Sequence, residues 1–173
     1  MQADFYLPRL QRLFPLVLAF CLLAACASAP PKPTLAQRQT EALTHLGFRK
    51  VDEGWLLTLP EYISFEFGKD DLKPELRKVI ADFARQLLAL DIRQLRAEGH
   101  TDNLGAYDYN MALSRRRADI VADAFVADGF AARDVVRKGF GPDHPAADNG
   151  SPEGRAQNRR VEIIVPSTAL AIP

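Results

Sequence analysis

An aspartate, a glycine, an amide and an arginine fall close together in GHTDNLGAYDYNMALSRRRA, residues 99–118. They are Asp102, Gly105, Asn110 and Arg117. A carboxylate and a guanidinium flanking one small hollow suit a zwitterion. The carboxylate takes an ammonium, and the guanidinium takes a carboxylate through a two-pronged contact. The α-carbon end of an amino acid is such a ligand. Gly105 would let the loop backbone come close to it. Asn110 shares a helix side with Leu113 or Arg117 by the three-and-four rule. A plainer reading of the same residues stands beside this one. In it, Asp102 caps a turn and Arg117 pairs with it or with neighbours of Asp119 on the surface.

Other chemistries find less to work with. The three histidines, His45, His100 and His144, are far apart in sequence, and an acid lies near His100. A lone His–Asp neighbour is weak support for a metal site, so neither metal nor cofactor is expected. Ser114 has no histidine on its helix face, and Ser64, Ser151 and Ser167 sit in no motif. No enzyme is expected. The 22 basic and 22 acidic residues balance, which argues against nucleic acid as a partner.

The elements that must position these residues can be read from pattern. Thr34 to Leu46 has helical spacing at Leu35, Ala42, Leu43 and Leu46, with Thr34 as N-cap and Gly47 as stop. Phe48 to Leu59 reads as a hairpin turning at Asp-Glu-Gly. Glu61 to Phe67 alternates, with Ile63, Phe65 and Phe67 on one side, and reads as a half-buried strand. Pro74 opens a long amphipathic helix through Leu76, Ile80, Phe83 and Leu87 to Leu90. Asp91 to Glu98 reads as a strand. Tyr107 to Asp128 reads as a second long helix, closed by Gly129. Strands follow at 133–139 and 160–165, the last buried inside the sheet. The loop between them, 140–158, holds one helical turn at 153–157, and loops that long usually serve function. The expected fold is α/β, a two-layer sandwich of one mixed sheet with two long helices on one face.

The N-terminus carries Arg9 and Arg12, an apolar run from Leu13 to Leu23, then Leu-Ala-Ala-Cys at 23–26. As a helix the run spans roughly 16 Å at ~1.5 Å per residue, short of a bilayer core of ~30 Å. It reads as a signal segment, residues 1–25. Small residues before Cys26 resemble a bacterial lipoprotein signal, which would leave Cys26 lipidated; a plain secretory cleavage site is the other reading. Of the two cysteines, Cys21 leaves with the signal, so no internal disulfide is expected. Residues 26–47 then form a lipid-anchored linker with a short helix. Residues 48–166 form the domain, its first part to residue 60 an extension, and 167–173 a tail.

Taken together, GHTDNLG, then Asn110, Leu113, Ser114, Arg117 and Ala118, then GFG at 139–141 and GRAQNRRVEI at 154–163 resemble the OmpA C-terminal-like family of peptidoglycan-binding domains. The resemblance runs from about Tyr62 to Val165. It implies non-covalent binding of the stem-peptide diaminopimelate through Asp102 and Arg117, with further contacts at Leu104, Asn110 and Arg159. Where the family usually has an aspartate, this chain has Gly68, so a contact there would come from backbone. LGFRKVDEGWLLTLPEYISFEFG, with RRVEIIVP near the end, is similar to outer-membrane lipoproteins that sequester a small periplasmic repressor and so relieve a diguanylate cyclase. That resemblance implies a tether between outer membrane and wall, with Leu43, Phe48 and Trp55 as partner or switch residues; for Phe48 and Trp55, core packing beneath the second helix or the hairpin is the other reading. Exposed Phe48, Trp55, Leu56 and Leu57 would also form a patch able to pair two copies.

Overall fold

The computed structural model describes residues 31–64 and 71–172. The signal segment, Cys26, Phe65, Phe67 and Gly68 lie outside the described residues. Pro33–Pro173 form one compact unit. The elements are α1 (Leu35–His45), β1 (Arg49–Val51), β2 (Gly54–Pro60), α2 (Glu61–Ser64), α3 (Pro74–Ala89), β3 (Leu95–His100), α4 (Tyr107–Ala127), β4 (Val135–Gly139), α5 (Pro152–Asn158) and β5 (Arg160–Pro166).

The five strands make one mixed sheet in the order β1-β2-β5-β3-β4. Only β3 and β4 run parallel, and α4 connects them. The last strand lies at the centre, as its apolar pattern predicts. It pairs with β2 from Gly54↔Pro166 to Pro60↔Arg160, and with β3 from Arg96↔Ile164 to His100↔Arg160. Strand alternation sends Leu95 and Ala97 of β3, with Val161, Ile163 and Val165 of β5, into the core. There they join Leu76, Ile80 and Leu87 of α3 and Val121, Ala122 and Phe125 of α4.

α1 forms because Thr34 and Gln37 make a capping box. Thr34 Oγ1 accepts from the Gln37 N–H, and Gln37 Oε1 accepts from the Thr34 N–H. The helix docks through Leu43, which is fully buried, and through Gln39, whose amide donates to the Leu90 carbonyl at 2.8 Å. Phe48 and Trp55 are buried in the same core. The expected sticky patch is therefore not built as the pattern suggested, since its two aromatic members face inward.

Three element boundaries differ from expectation. Residues 61–64 are a helical turn, not the start of a strand. Pro60 ends β2, the Ser64 hydroxyl donates back to the Pro60 carbonyl at 2.7 Å, and the Glu61 N–H donates to the Arg159 carbonyl at 2.9 Å. β3 begins at Leu95 rather than Asp91, because Asp91 takes a left-handed conformation (φ 59°) as the chain turns out of α3. A single 3₁₀ turn at Ala132–Asp134 precedes β4.

The sheet face turned away from α4 carries an ionic row: Arg96, Glu98 and His100 on β3, Arg160 and Glu162 on β5. Burial works against the charge of Glu162. Its contacts with His100 and Arg160 outweigh that and hold its pKa down at about 2. A carboxylate with a lowered folded pKa contributes stability above its unfolded pKa and loses it as pH falls toward the folded value. Unfolding free energy should therefore drop between the ordinary carboxylate value and about pH 2. In Glu162→Gln this acid dependence should be shallower, as measured by urea denaturation at stepped pH.

Candidate functional site

The buried stripe of α4 changes character along its length. Asn110, Ser114 and Arg117 fill it first, then Val121 and Phe125 continue the same three-and-four spacing. The polar half lies over the C-terminal ends of β3 and β4. Helix and sheet come so close there that a Cβ on Gly99 would sit 1.9 Å from the Ser114 carbonyl oxygen. A Cβ on Gly139 would sit 2.5 Å from the Arg115 nitrogen. Only glycine permits that approach. Ser114 uses it: its hydroxyl donates to the Met111 carbonyl and accepts from the Gly141 N–H, both at 2.9 Å.

Past β3 the chain forms a short loop to α4. Asp102 turns it, accepting the Leu104 N–H on Oδ1 at 3.1 Å. Asn110 holds it from the helix, donating to the Leu104 carbonyl at 2.9 Å. Leu104 itself stands exposed, and Gly105 has a positive φ of 92° with open space around its Cα. The glycine is thus demanded by backbone conformation rather than by crowding.

Asp102 is buried, and its Oδ2 accepts from Arg159 Nη1 at 2.8 Å. Arg159 also pairs with Glu61, and Glu61 pairs with the buried Arg117. The result is a chain of alternating charge: Asp102, Arg159, Glu61, Arg117. The hydrogen bond that Arg159 donates to Asp102 raises the pKa of Arg159; burial opposes it and Glu61 adds to it. Asp102 thus caps the turn with one oxygen and gives the other to Arg159, while Arg117 pairs with Glu61 rather than with Asp102.

The loop after β4 closes the site from the side. Asn158, fully buried at the end of α5, ties it. Its Oδ1 accepts from the Ala146 and Ala147 N–H groups at 2.8 and 2.9 Å. Its Nδ2 donates to the Ala147 carbonyl and to Asn149 Oδ1, both at 2.9 Å. Asn149 Oδ1 in turn accepts from the Asn103 N–H at 3.3 Å. One side chain so links two loops.

The structure therefore brings together Asp102, Asn110, Arg117 and Arg159, with Leu104 and Gly105 at the rim. Leu43, Phe48 and Trp55 sit in the core instead. Sequence reading missed Glu61 and Asn158. Glu61 was hidden by an alternation that read as strand. Asn158 lay within a quoted motif, but only the fold shows what its amide holds.

A family model described as "OmpA family" matches residues 64–159. The outer-membrane lipoprotein YfiB of Pseudomonas aeruginosa is 43% identical over 155 residues, covering 90% of each chain. The chain belongs to the OmpA family. The putative lipoprotein YfiB of Escherichia coli is 35% identical over 152 residues, covering 87% of this chain and 94% of that protein. Among solved structures, the cell wall anchor of the T6SS from P. aeruginosa superposes with a TM-score of 0.59 at 29% identity, covering 79% of this chain and 99% of that one. The OmpA match ends on Arg159 and begins after Glu61, so the bridging carboxylate lies outside the shared pattern. Among the described residues no helix is long and apolar enough to cross a membrane.

Asn158→Ala should cost about 1–3 kcal/mol through the backbone groups it leaves unpaired. Hydrogen exchange should accelerate at Ala146, Ala147 and Asn103 while the β5 amides stay protected.

Proposed function

We propose that this protein is an outer-membrane lipoprotein, lipidated at Cys26, that holds peptidoglycan without cleaving it. Its pocket takes the zwitterionic end of the stem-peptide diaminopimelate. The observation that carries this is the Glu61 carboxylate set between Arg117 and Arg159. A site that already holds a carboxylate between two guanidinium groups, with Asp102 beside them for an ammonium, is the counterpart of that ligand. Relatives named as outer-membrane lipoproteins and a neighbour named as a cell wall anchor support the same reading.

Binding on this account is an exchange. The ligand carboxylate displaces Glu61 from an arginine, and its ammonium competes with Arg159 for Asp102. Leu104 and Gly105 frame the mouth, Asn110 keeps the loop in place, and Gly68 would contribute backbone only. In co-sedimentation with purified peptidoglycan, Asp102→Ala and Arg117→Ala should each abolish retention while staying folded. Glu61→Gln, which removes the competitor for the two arginines, should increase it in protein that stays folded. Unchanged retention in folded Asp102→Ala and Arg117→Ala would sink the pocket.

The likeness to YfiB along almost the whole chain supports a finer role. The protein sequesters a small periplasmic repressor of the YfiR type and so releases an inner-membrane diguanylate cyclase. A purely structural anchor between membrane and wall is the rival, and the α1–β2 segment ahead of the family match favours signalling. Residues 26–47 are then the tether, and α1 shortens it by docking through Leu43. Leu43→Pro should break α1, at a cost of about 3 kcal/mol, and free a longer tether. Wall association in cells should rise; an unchanged level would refute the reach argument.

A further inference from the structure

We propose that Glu98, His100 and Glu162 form a divalent-metal site, suited first to zinc, on the sheet face turned away from α4. It rests on residues that the pocket above does not use. No spacing motif marks it, because its members meet only through strand pairing. Glu98 and His100 are two apart on β3 and so share a face, and Glu98 lies directly opposite Glu162 of β5.

His100 is the anomaly. It is 2% exposed, and neither ring nitrogen has a hydrogen-bond partner. Buried polar groups are rarely left so. Its Nε2 stands 3.6 Å from Glu162 Oε2. That is too long for a hydrogen bond of about 2.7–3.2 Å. Two ligands on one tetrahedral zinc, with bonds of about 2.0–2.1 Å, lie about 3.4 Å apart. The three donor groups all fall within 4.8 Å of one another, so one ion could reach all three once the side chains draw in.

The surroundings resemble an outer ligand shell. Arg160 Nε donates to Glu162 Oε1 at 2.8 Å, which leaves Oε2 toward His100. Arg96 forms an ion pair with one oxygen of Glu98. Carboxylates that ligate metals are commonly oriented by such partners. Two carboxylates placed directly opposite across a strand pair repel, and a cation between them removes that repulsion. Arg96, Arg160 and Lys138 add positive charge around the site and Glu53 removes some, which keeps affinity moderate. The hollow they line, of about 360 Å³, leaves room for a water as fourth ligand. One imidazole with two carboxylates is a donor set that zinc accepts.

The test is zinc competition against a chromophoric chelator, with a tag-free chain lacking residues 1–26. One equivalent should bind. His100→Gln should weaken it at least about 100-fold, the upper end of what loss of an outer-shell partner costs, and His45→Ala should leave it unchanged. No zinc retained by the folded wild type, or equal retention in His100→Gln, overturns the site. If His100→Gln fails to fold, the ring nitrogens of His100 in the wild type are followed by NMR during zinc addition. Movement of the His100 resonances at one equivalent supports the site; zinc uptake with His100 unmoved overturns it.

Discussion

A guanidinium buried as deeply as that of Arg117 cannot stand alone. Moving an unpaired charge out of water costs several kcal/mol, so the fold must bring a carboxylate to it. Glu61 meets that need, and the rest of the site follows from it. The turn at 61–64 has to be helical, Pro60 has to end β2, and Arg159 has to reach across to share the carboxylate. Such a chain adds little net stability, because desolvation consumes most of the attraction. What it fixes is position. Every charged group from Asp102 through Arg159 and Glu61 to Arg117 is held in place by another.

The charged chain can be that exact only because the scaffold around it does not give. Gly99 and Gly139 let α4 rest on the strand ends at backbone contact, and Ser114 bonds across the gap. Asn158 fastens the loop after β4, and through Asn149 fastens the loop after β3. These contacts are polar, short-range and buried. They define the pocket's walls without relying on loop side chains, and Leu104 is left as an exposed rim residue.

Much of this was legible in the chain. Apolar periodicity located both long helices, and the run at 160–165 announced a central strand. Residue type and spacing singled out Asp102 and Arg117, and the resemblance to the OmpA C-terminal-like family gave them a binding role. The boundary errors share a cause. Alternation of apolar residues at 61–67 reads as a strand, while Glu61–Ser64 form a helical turn whose Glu61 N–H bonds to Arg159, a residue distant in sequence. Phe48 and Trp55 could be read either as core or as partner residues, and the fold places both in the core, Phe48 with its ring against Phe83. One clue was present and unused. Asn110, Ser114 and Arg117 continue the spacing of Val121 and Phe125, so polar residues on a buried stripe marked where α4 leaves core and enters site.

The pairing of β2 with β5 has an implication for chain length. Pro60 lies opposite Arg160, so Glu61 arrives beside Arg159 only while that alignment holds. Residues added at the Asp52–Glu53 turn would lengthen a loop and leave the alignment intact. A single residue inserted within β2 would turn its side chains to the opposite face and carry the carboxylate away from both arginines. The segment before the pocket therefore tolerates variation at its bend and almost none along its strand, although no residue of that strand enters the pocket.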